Sequence, residues 1–244
     1  MRFALAAALV LTPLVALAQT PVERARTLIA GYHEDARHID EARDLLEAAI
    51  ARARPPEAVT LLSRIYFLYG EVRATTADDK LAAFGRGRDL GKLAVELAPR
   101  SEDAHVWYAL NVGRWGQTKG MMRSLSLLPL MREEIDTVLA LDPKFPPAYS
   151  LAGHFYLEVP GMLGGDVDRA EKLFRTGLEL DPTFTSMRVG LAKTLVKKGR
   201  VAEARKELEA VLAEKAPHNL ADWTLKDSVE ARELLGSVRS RPGG

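Results

Sequence analysis

Apolar residues recur at spacings of three and four through nearly the whole chain. One such set is Ala42, Leu45, Leu46, Ala49 and Ile50. This spacing places apolar side chains on one face of an α-helix, whereas a half-buried strand requires alternation of apolar and polar positions. Alternation of that kind is almost absent. The pattern therefore predicts an all-α protein.

A short phrase ending in proline closes several of the predicted helices. It occurs as V-E-L-A-P at 95–99, L-A-L-D-P at 139–143 and L-E-L-D-P at 178–182. Because proline cannot continue a helix and restricts the residue before it, each phrase marks a junction between two helical units. Five units result, each with two helices: three span 25–54, 56–99 and 102–143, the fourth ends at Pro182, and the fifth spans 182–217.

The fifth unit resembles the tetratricopeptide repeat (TPR), a unit of 34 residues with two antiparallel helices. Its large, small and turn residues fall where the TPR pattern places them, at Leu191, Ala192, Leu195, Gly199, Ala204, Leu208 and Val211. The resemblance implies about five degenerate TPR hairpins stacked in a right-handed superhelix, because one hairpin cannot bury its apolar stripe alone. It also implies that the first helix of each hairpin lines a concave inner surface.

The first eighteen residues have the pattern of an export signal. Arg2 precedes an apolar run that closes on Ala16-Leu17-Ala18, a small-x-small cleavage pattern. The run is interrupted by Pro13 and is shorter than the roughly 20 residues that a membrane-spanning helix needs. We therefore expect residues 1–18 to be a cleaved signal peptide, 19–238 to form the repeat domain and 239–244 to be a disordered tail. The expected localisation is periplasmic, with no integral membrane segment after cleavage.

Composition narrows the possible partners and chemistry. The chain has 34 Lys and Arg against 33 Asp and Glu, and loss of Arg2 with the signal would leave 33 of each. Such a balance provides no bulk attraction for nucleic acid, so no nucleic-acid partner is predicted. The sequence contains no cysteine, which excludes disulfides, thiolate metal sites and cysteine nucleophiles.

No motif for catalysis or metal binding is present. The five histidines form no H-x-x-x-H pair, so no metal site is predicted. The glycine-rich stretch 161–166 lacks the G-K-[ST] ending of a phosphate loop and is interpreted as a turn inside a hairpin. Glu133, Glu134 and Asp136 are interpreted as a solvated helix face. We predict a binding protein that is not an enzyme and carries no cofactor.

Two motifs in the middle of the chain narrow the resemblance. They are W-Y-A-L-N at 107–111 and P-G-M-L-G-G-D at 160–166. Over about residues 85–215 the chain resembles the periplasmic TatT-type TPR proteins associated with tripartite ATP-independent periplasmic (TRAP) transporters. The eukaryotic regulator-of-microtubule-dynamics proteins look similar over the same stretch. The resemblance implies a docking or ligand-handling module that works with a solute-binding protein for organic acids, and the signal-like N-terminus favours the bacterial group.

The candidate binding residues lie on the predicted first helices. Aromatic walls with a few basic groups would suit an organic anion or an acidic peptide end. An aromatic residue at helical spacing is, however, more often part of the core than of a ligand site. The eight predicted binding residues are Arg64, Phe67, Trp107, Asn111, Arg114, Trp115, His154 and Lys193.

The stretch 116–129 is too apolar for a free loop, since it contains two methionines and three leucines. We expect it to be an insertion that folds over the concave side as a lid or forms a self-association surface, which would make the protein a homo-oligomer. Three functions remain open from the sequence. They are an exported scaffold for a partner protein such as a transporter's solute-binding subunit, an organic-anion-binding protein, and a structural scaffold of an envelope assembly.

Overall fold

A computed structural model describes residues 19–239 of the protein, and α-helical hairpins account for most of them. No strand occurs in this part of the chain. Short helical turns at Tyr69–Arg73, Gly161–Leu163 and Trp223–Asp227 interrupt the α-helices. The α-helices are α1 (Pro21–Ala30), α2 (Arg37–Ile50), α3 (Pro56–Leu68), α4 (Ala77–Leu97), α5 (Glu102–Lys119), α6 (Met121–Leu141), α7 (Pro146–Glu158), α8 (Val167–Leu180), α9 (Thr185–Lys197), α10 (Val201–Ala213), the single turn α11 (Leu220–Asp222) and α12 (Ser228–Arg239).

Consecutive helices pair as five hairpins, from α1 with α2 to α9 with α10. Their boundaries confirm the predicted units, and the all-α repeat fold is confirmed with them.

Local signals explain where several helices begin. Thr20 and Glu23 form a capping box before α1, and the Asp166 carboxylate accepts hydrogen bonds from two backbone N–H groups at the start of α8. Helix α12 follows the fifth hairpin and packs on α10.

The helices of the hairpins form two layers, and successive helices are packed more closely in one layer than in the other. The odd-numbered helices α1, α3, α5, α7 and α9 contact one another in succession. Successive even-numbered helices from α2 to α10 make no contact of similar extent within the described residues. Because the more closely packed layer lies on the inside of a curved stack, the odd-numbered helices form the inner wall. We call the surface of this wall the inner groove.

The core divides into two apolar clusters along the stack. The N-terminal cluster extends from Ala25 to Ala104, and the C-terminal cluster extends from Val106 to Leu235. One residue breaks this order: Ala221, close to the C-terminus, is fully buried in the N-terminal cluster. The stretch around Ala221, which follows the fifth hairpin, therefore returns to the beginning of the stack.

The prediction of an insertion at 116–129 is wrong. Helix α5 continues to Lys119, Gly120 forms a turn with a positive φ of 115°, and α6 begins at Met121. Pro129 lies inside α6 on its exposed side, where water can hydrate the carbonyl that proline leaves unpaired. The stretch is therefore the tip of an elongated hairpin and not a lid. Met121 and Met122 project from this tip with 79% and 82% of their surface exposed.

The interpretation of the acidic stretch in α6 is also wrong at one position. Glu133 and Asp136 are exposed, but Glu134 is buried. Its carboxylate lies 2.5 Å from Nδ1 of His105, which is buried as well. A buried carboxylate requires a partner of this kind, so Glu134 belongs to the contact between α5 and α6.

Two predictions concern residues outside the described range. The signal peptide at 1–18 and nearly all of the tail at 239–244 lie there, so both remain predictions. Between residues 19 and 239, none of the helices combines the length and the apolar character that crossing a bilayer requires.

Candidate functional site: the inner groove

An arginine and two aromatic rings form one corner of the inner groove. The Arg64 guanidinium on α3 lies over the ring of Trp107 on α5, 5.2 Å from its centroid. Phe67 packs edge-on against the same indole, with 5.7 Å between ring centroids, and its other neighbour is Phe84. The aromatic contacts hold the indole in place, and its face attracts the cation.

A cavity of about 190 Å³ opens beside this corner. Because Ser101 precedes α5 and Pro56 begins α3, it sits at the N-terminal ends of these two helices. Its charged residues include both signs, since Arg26 pairs with Glu57 at 2.9 Å across the opening. The lining residues are Arg26, Pro56, Glu57, Thr60, Leu61, Arg64, Ser101, Asp103 and Trp107.

Arg64 has no hydrogen-bond acceptor among the described residues, and its Nε is buried without a partner. Burial lowers the pKa of its guanidinium, while the charges of Asp222 and Asp103 act in the opposite direction. Burial likewise raises the pKa of Asp103. Arg64 as a whole is partly exposed, but a buried N–H group without an acceptor is costly, so a ligand that supplies an acceptor to this guanidinium would be favoured.

A second group of basic residues lies further along the groove. Arg114 on α5, Lys193 on α9 and Lys226 all act electrostatically on His154 of α7. Burial, followed by these three positive charges, lowers the pKa of His154 to about 3, so its imidazole is neutral at physiological pH. The ring packs edge-on against Phe174 at 5.0 Å. Arg114 and Lys193 are each paired with an acidic residue, Glu71 and Glu230.

The structure separates two predicted site residues from the groove. Asn111 is fully buried, and its Nδ2 donates to the backbone oxygens of Ser63 and Trp107. It holds α3 against α5 and is not available to a ligand. Trp115 lies on another face of α5, with the guanidinium of Arg88 4.3 Å from its ring centroid. The remaining six, Arg64, Phe67, Trp107, Arg114, His154 and Lys193, lie in or beside the groove.

The protein's own chain crosses the inner groove, and no sequence signal predicted this. We call residues 219–227 the crossing segment. Its Asp222 accepts a hydrogen bond from the Tyr32 hydroxyl, just after α1, and its Asp227 accepts one from Thr185, the first residue of α9. The charge of Asp222 acts on Arg64 of α3, and Lys226 acts on His154 of α7. Hydrogen bonds thus hold the segment beside the end of α1 and at the start of α9, and its charges act on residues of α3 and α7.

Comparison with known protein families shows the family to which the chain belongs. A family model described as regulator of microtubule dynamics protein 1-3 matches residues 22–163, which is more than half of the chain. The chain belongs to this family. A second model, described as tetratricopeptide repeat, matches residues 162–227, and this range includes the crossing segment. The TPR resemblance is confirmed, whereas the association with TRAP transporters remains a prediction.

Curated relatives in the family are similar over part of their length. Regulator of microtubule dynamics protein 3 of Rattus norvegicus is 25% identical over 210 residues, covering 79% of this chain and 44% of the relative. Regulator of microtubule dynamics protein 2 of the same species is 27% identical over 120 residues, covering 48% of this chain and 29% of the relative. The chain thus spans less than half of the length of either relative.

Solved structures support the helical repeat fold. A thermophilic TPR protein of Thermus thermophilus superposes with a TM-score of 0.67 at 19% identity, covering 90% of this chain and 99% of that one. The PilF protein of Pseudomonas aeruginosa gives a TM-score of 0.52 at 14% identity, covering 92% of this chain and 93% of that one. At these identities the similarity shows the fold alone.

Proposed function

We propose that this family member is a scaffold without catalytic activity that binds a protein partner in its inner groove. The single observation that carries the proposal is the groove itself, a continuous surface on five successive helices that presents Arg64, Trp107, Arg114 and Lys193. Partly exposed rings and long basic side chains on a helical wall are suited to an acidic or amphipathic segment. The TPR match supports this use, because TPR proteins generally bind protein partners.

We further propose that the protein is exported and acts as an accessory component of a TRAP-type organic-acid transporter. The signal-like pattern at 1–18 and the motifs at 107–111 and 160–166 support this assignment. The partner would then be a periplasmic solute-binding protein. The family relatives are named as regulators of microtubule dynamics, which suggests a second kind of protein partner. Either partner would bind in the same groove.

The experiment is purification from the native host under gentle conditions, followed by mass spectrometry of proteins and small molecules. Wild type is compared with the groove variant Arg114→Ala/Lys193→Ala. The matched control, Lys172→Ala/Lys206→Ala, removes two exposed lysines from the outer helices α8 and α10. We expect one discrete partner with wild type and control, and its loss with the groove variant. Equal recovery from all three proteins would contradict groove binding.

An organic anion is the second candidate ligand, and the state of Arg64 favours it. A guanidinium without an acceptor, beside a cavity of about 190 Å³, can accept a carboxylate in a bidentate arrangement. Retention of an organic acid without a protein partner in the same experiment would support this function. Recovery of the protein without a protein partner and without an organic acid would contradict both binding functions. It would favour a structural role as a scaffold in an envelope assembly.

A further inference from the structure

The crossing segment contacts the N-terminal half of the stack through very few residues. Ala221 is fully buried among the residues of the N-terminal cluster, and Asp222 binds Tyr32. Leu220, by contrast, is 50% exposed. The Asn219 side chain caps the short turn by accepting hydrogen bonds from the N–H groups of Ala221 and Asp222. Two adjacent residues, one small and one acidic, thus make the contact.

Both ends of the crossing segment are anchored independently of this contact. On one side, His218 stacks on Phe184 with ring centroids 4.3 Å apart, and its backbone N–H donates to the Thr183 oxygen. On the other side, Asp227 is held by Thr185, and α12 packs on α10. The residues between these anchors include a π-helical turn, a feature common at functional sites. The contact at Ala221 and Asp222 can therefore open while both anchors remain.

The site that this contact occupies has the character of a ligand site. Ala221 fills a place among apolar residues, while Asp222 brings a negative charge to the otherwise unpaired Arg64. The cavity beside Arg64 remains open next to it. An acidic helical turn that comes from another protein would present the same groups to the same partners.

We propose that the crossing segment is an internal ligand, which competes with an external partner for the site formed by Tyr32 and Arg64. The external partner carries a short helical turn with a small residue followed by a carboxylate. This inference rests on the proposed function and defines the chemistry of the partner and the regulation of the groove. Binding of the partner requires release of residues 220–222, so the free protein binds more weakly than a protein whose segment has been displaced.

The test uses a labelled peptide that copies residues 217–228 and the full-length variant Ala221→Arg. Arginine cannot be accommodated at a position with no exposed surface, so the variant displaces the turn. The matched control is Leu220→Arg, which places the same side chain at an exposed neighbouring position. Peptide binding is measured by fluorescence anisotropy, and folding is checked by circular dichroism. A second peptide carries Asp222→Lys.

We expect the peptide to bind Ala221→Arg at least about tenfold more tightly than it binds wild type or Leu220→Arg. The Asp222→Lys peptide should lose about tenfold in affinity, the equivalent of one charge-assisted hydrogen bond. Equal binding to the three proteins, or no binding to a folded Ala221→Arg variant, would overturn the inference. Loss of the natural partner in the groove variant Arg114→Ala/Lys193→Ala is a separate readout, so the proposed function can stand when this inference fails.

Hydrogen exchange of the wild-type protein decides the question if Ala221→Arg does not fold. The amides of residues 220–222 should exchange at least about tenfold faster than those of α9, because the turn opens locally while the stack remains folded. Exchange as slow as that of α9 would make the turn a permanent part of the core and overturn the inference.

Discussion

The hydroxyl group of Tyr32 donates a hydrogen bond of 2.5 Å to the Asp222 carboxylate, although 190 positions separate the two residues. Burial, followed by the nearby Asp222 charge, raises the pKa of Tyr32 well above its ordinary value, so the phenol remains a donor at all relevant pH values. Together with the burial of Ala221, this hydrogen bond connects the N-terminal part of the stack to the crossing segment. The crossing segment is consequently held over the N-terminal part of the inner groove in the free protein.

The variant Tyr32→Phe should release the crossing segment. A hydrogen bond to a charged group contributes about 1.5–3 kcal/mol, so the free energy of unfolding in urea should fall by about the same amount. Amide exchange should rise at residues 220–222. Tyr66→Phe is the matched control, because it removes a hydroxyl that donates to Glu47 at 2.8 Å on another part of the stack. A similar rise at 220–222 in both variants would contradict the assigned contact.

Asp227 should make the stability of the protein depend on pH. Burial raises the pKa of this carboxyl to about 6, against the opposing effect of the Thr185 hydrogen bond. The ordinary value is 3.8, so between these values the folded state holds a proton that the unfolded state has lost. The contribution of Asp227 to stability is therefore fully present below about pH 4 and is lost as the pH rises through 6.

The variant Asp227→Asn tests this effect, because an amide stays neutral. Its free energy of unfolding relative to wild type should rise by about 1–3 kcal/mol between pH 4 and pH 7, measured by urea denaturation at each pH. Carboxyls whose pKa is lowered, such as Glu171 at about 2, contribute equally to both proteins and cancel in the comparison. A difference that is constant across this range would show that Asp227 does not titrate there.

Two glycines of α4 should respond oppositely to alanine. A Cβ at Gly87 would lie 2.2 Å from Oδ1 of the buried Asn111, whereas one at Gly85 would meet the Trp115 ring at 3.4 Å, an ordinary contact. Gly87→Ala should lower the free energy of unfolding by about 1–3 kcal/mol through overpacking. Gly85→Ala should raise it by up to about 1 kcal/mol through helix propensity. Stabilisation by both substitutions would contradict the close packing of Asn111.

The exposed methionines at the tip of the elongated hairpin provide a test of self-association. Met121→Ser/Met122→Ser should change the free energy of unfolding by less than about 0.5 kcal/mol, because both side chains are exposed. If the tip is an association surface, sedimentation velocity should show wild-type oligomers that this variant has lost. A wild-type protein that is monomeric at all concentrations would exclude that role.

Most of the fold could be predicted from local signals. The apolar spacing and the recurring proline phrases reflect interactions between near neighbours in sequence, and they placed five hairpins correctly. The exception was 116–129, which was predicted to be an insertion because of its apolar composition. A positive φ at Gly120 turns the chain there, but Pro129 is tolerated because its side of α6 faces water.

The candidate site could be predicted only in part, because its remaining features depend on contacts between residues that are distant in sequence. The helical register placed Arg64 and Phe67 on the inner wall, but it could not show that Asn111 fits against Gly87 in the core. The burial of Glu134 depends on His105 in another helix. The crossing segment contains one α-helical turn and one π-helical turn, which are too short to produce a periodic pattern. Its partner Tyr32 belongs to the other end of the chain.

The most direct test of the central claim is hydrogen exchange of the protein with and without its co-purified partner. The account predicts slower exchange on the inner helices α3, α5, α7 and α9, together with faster exchange at residues 220–222 as the partner replaces the internal turn. Protection of the outer helices α4, α6 and α8, with 220–222 unchanged, would contradict the assignment of the inner groove as the binding surface.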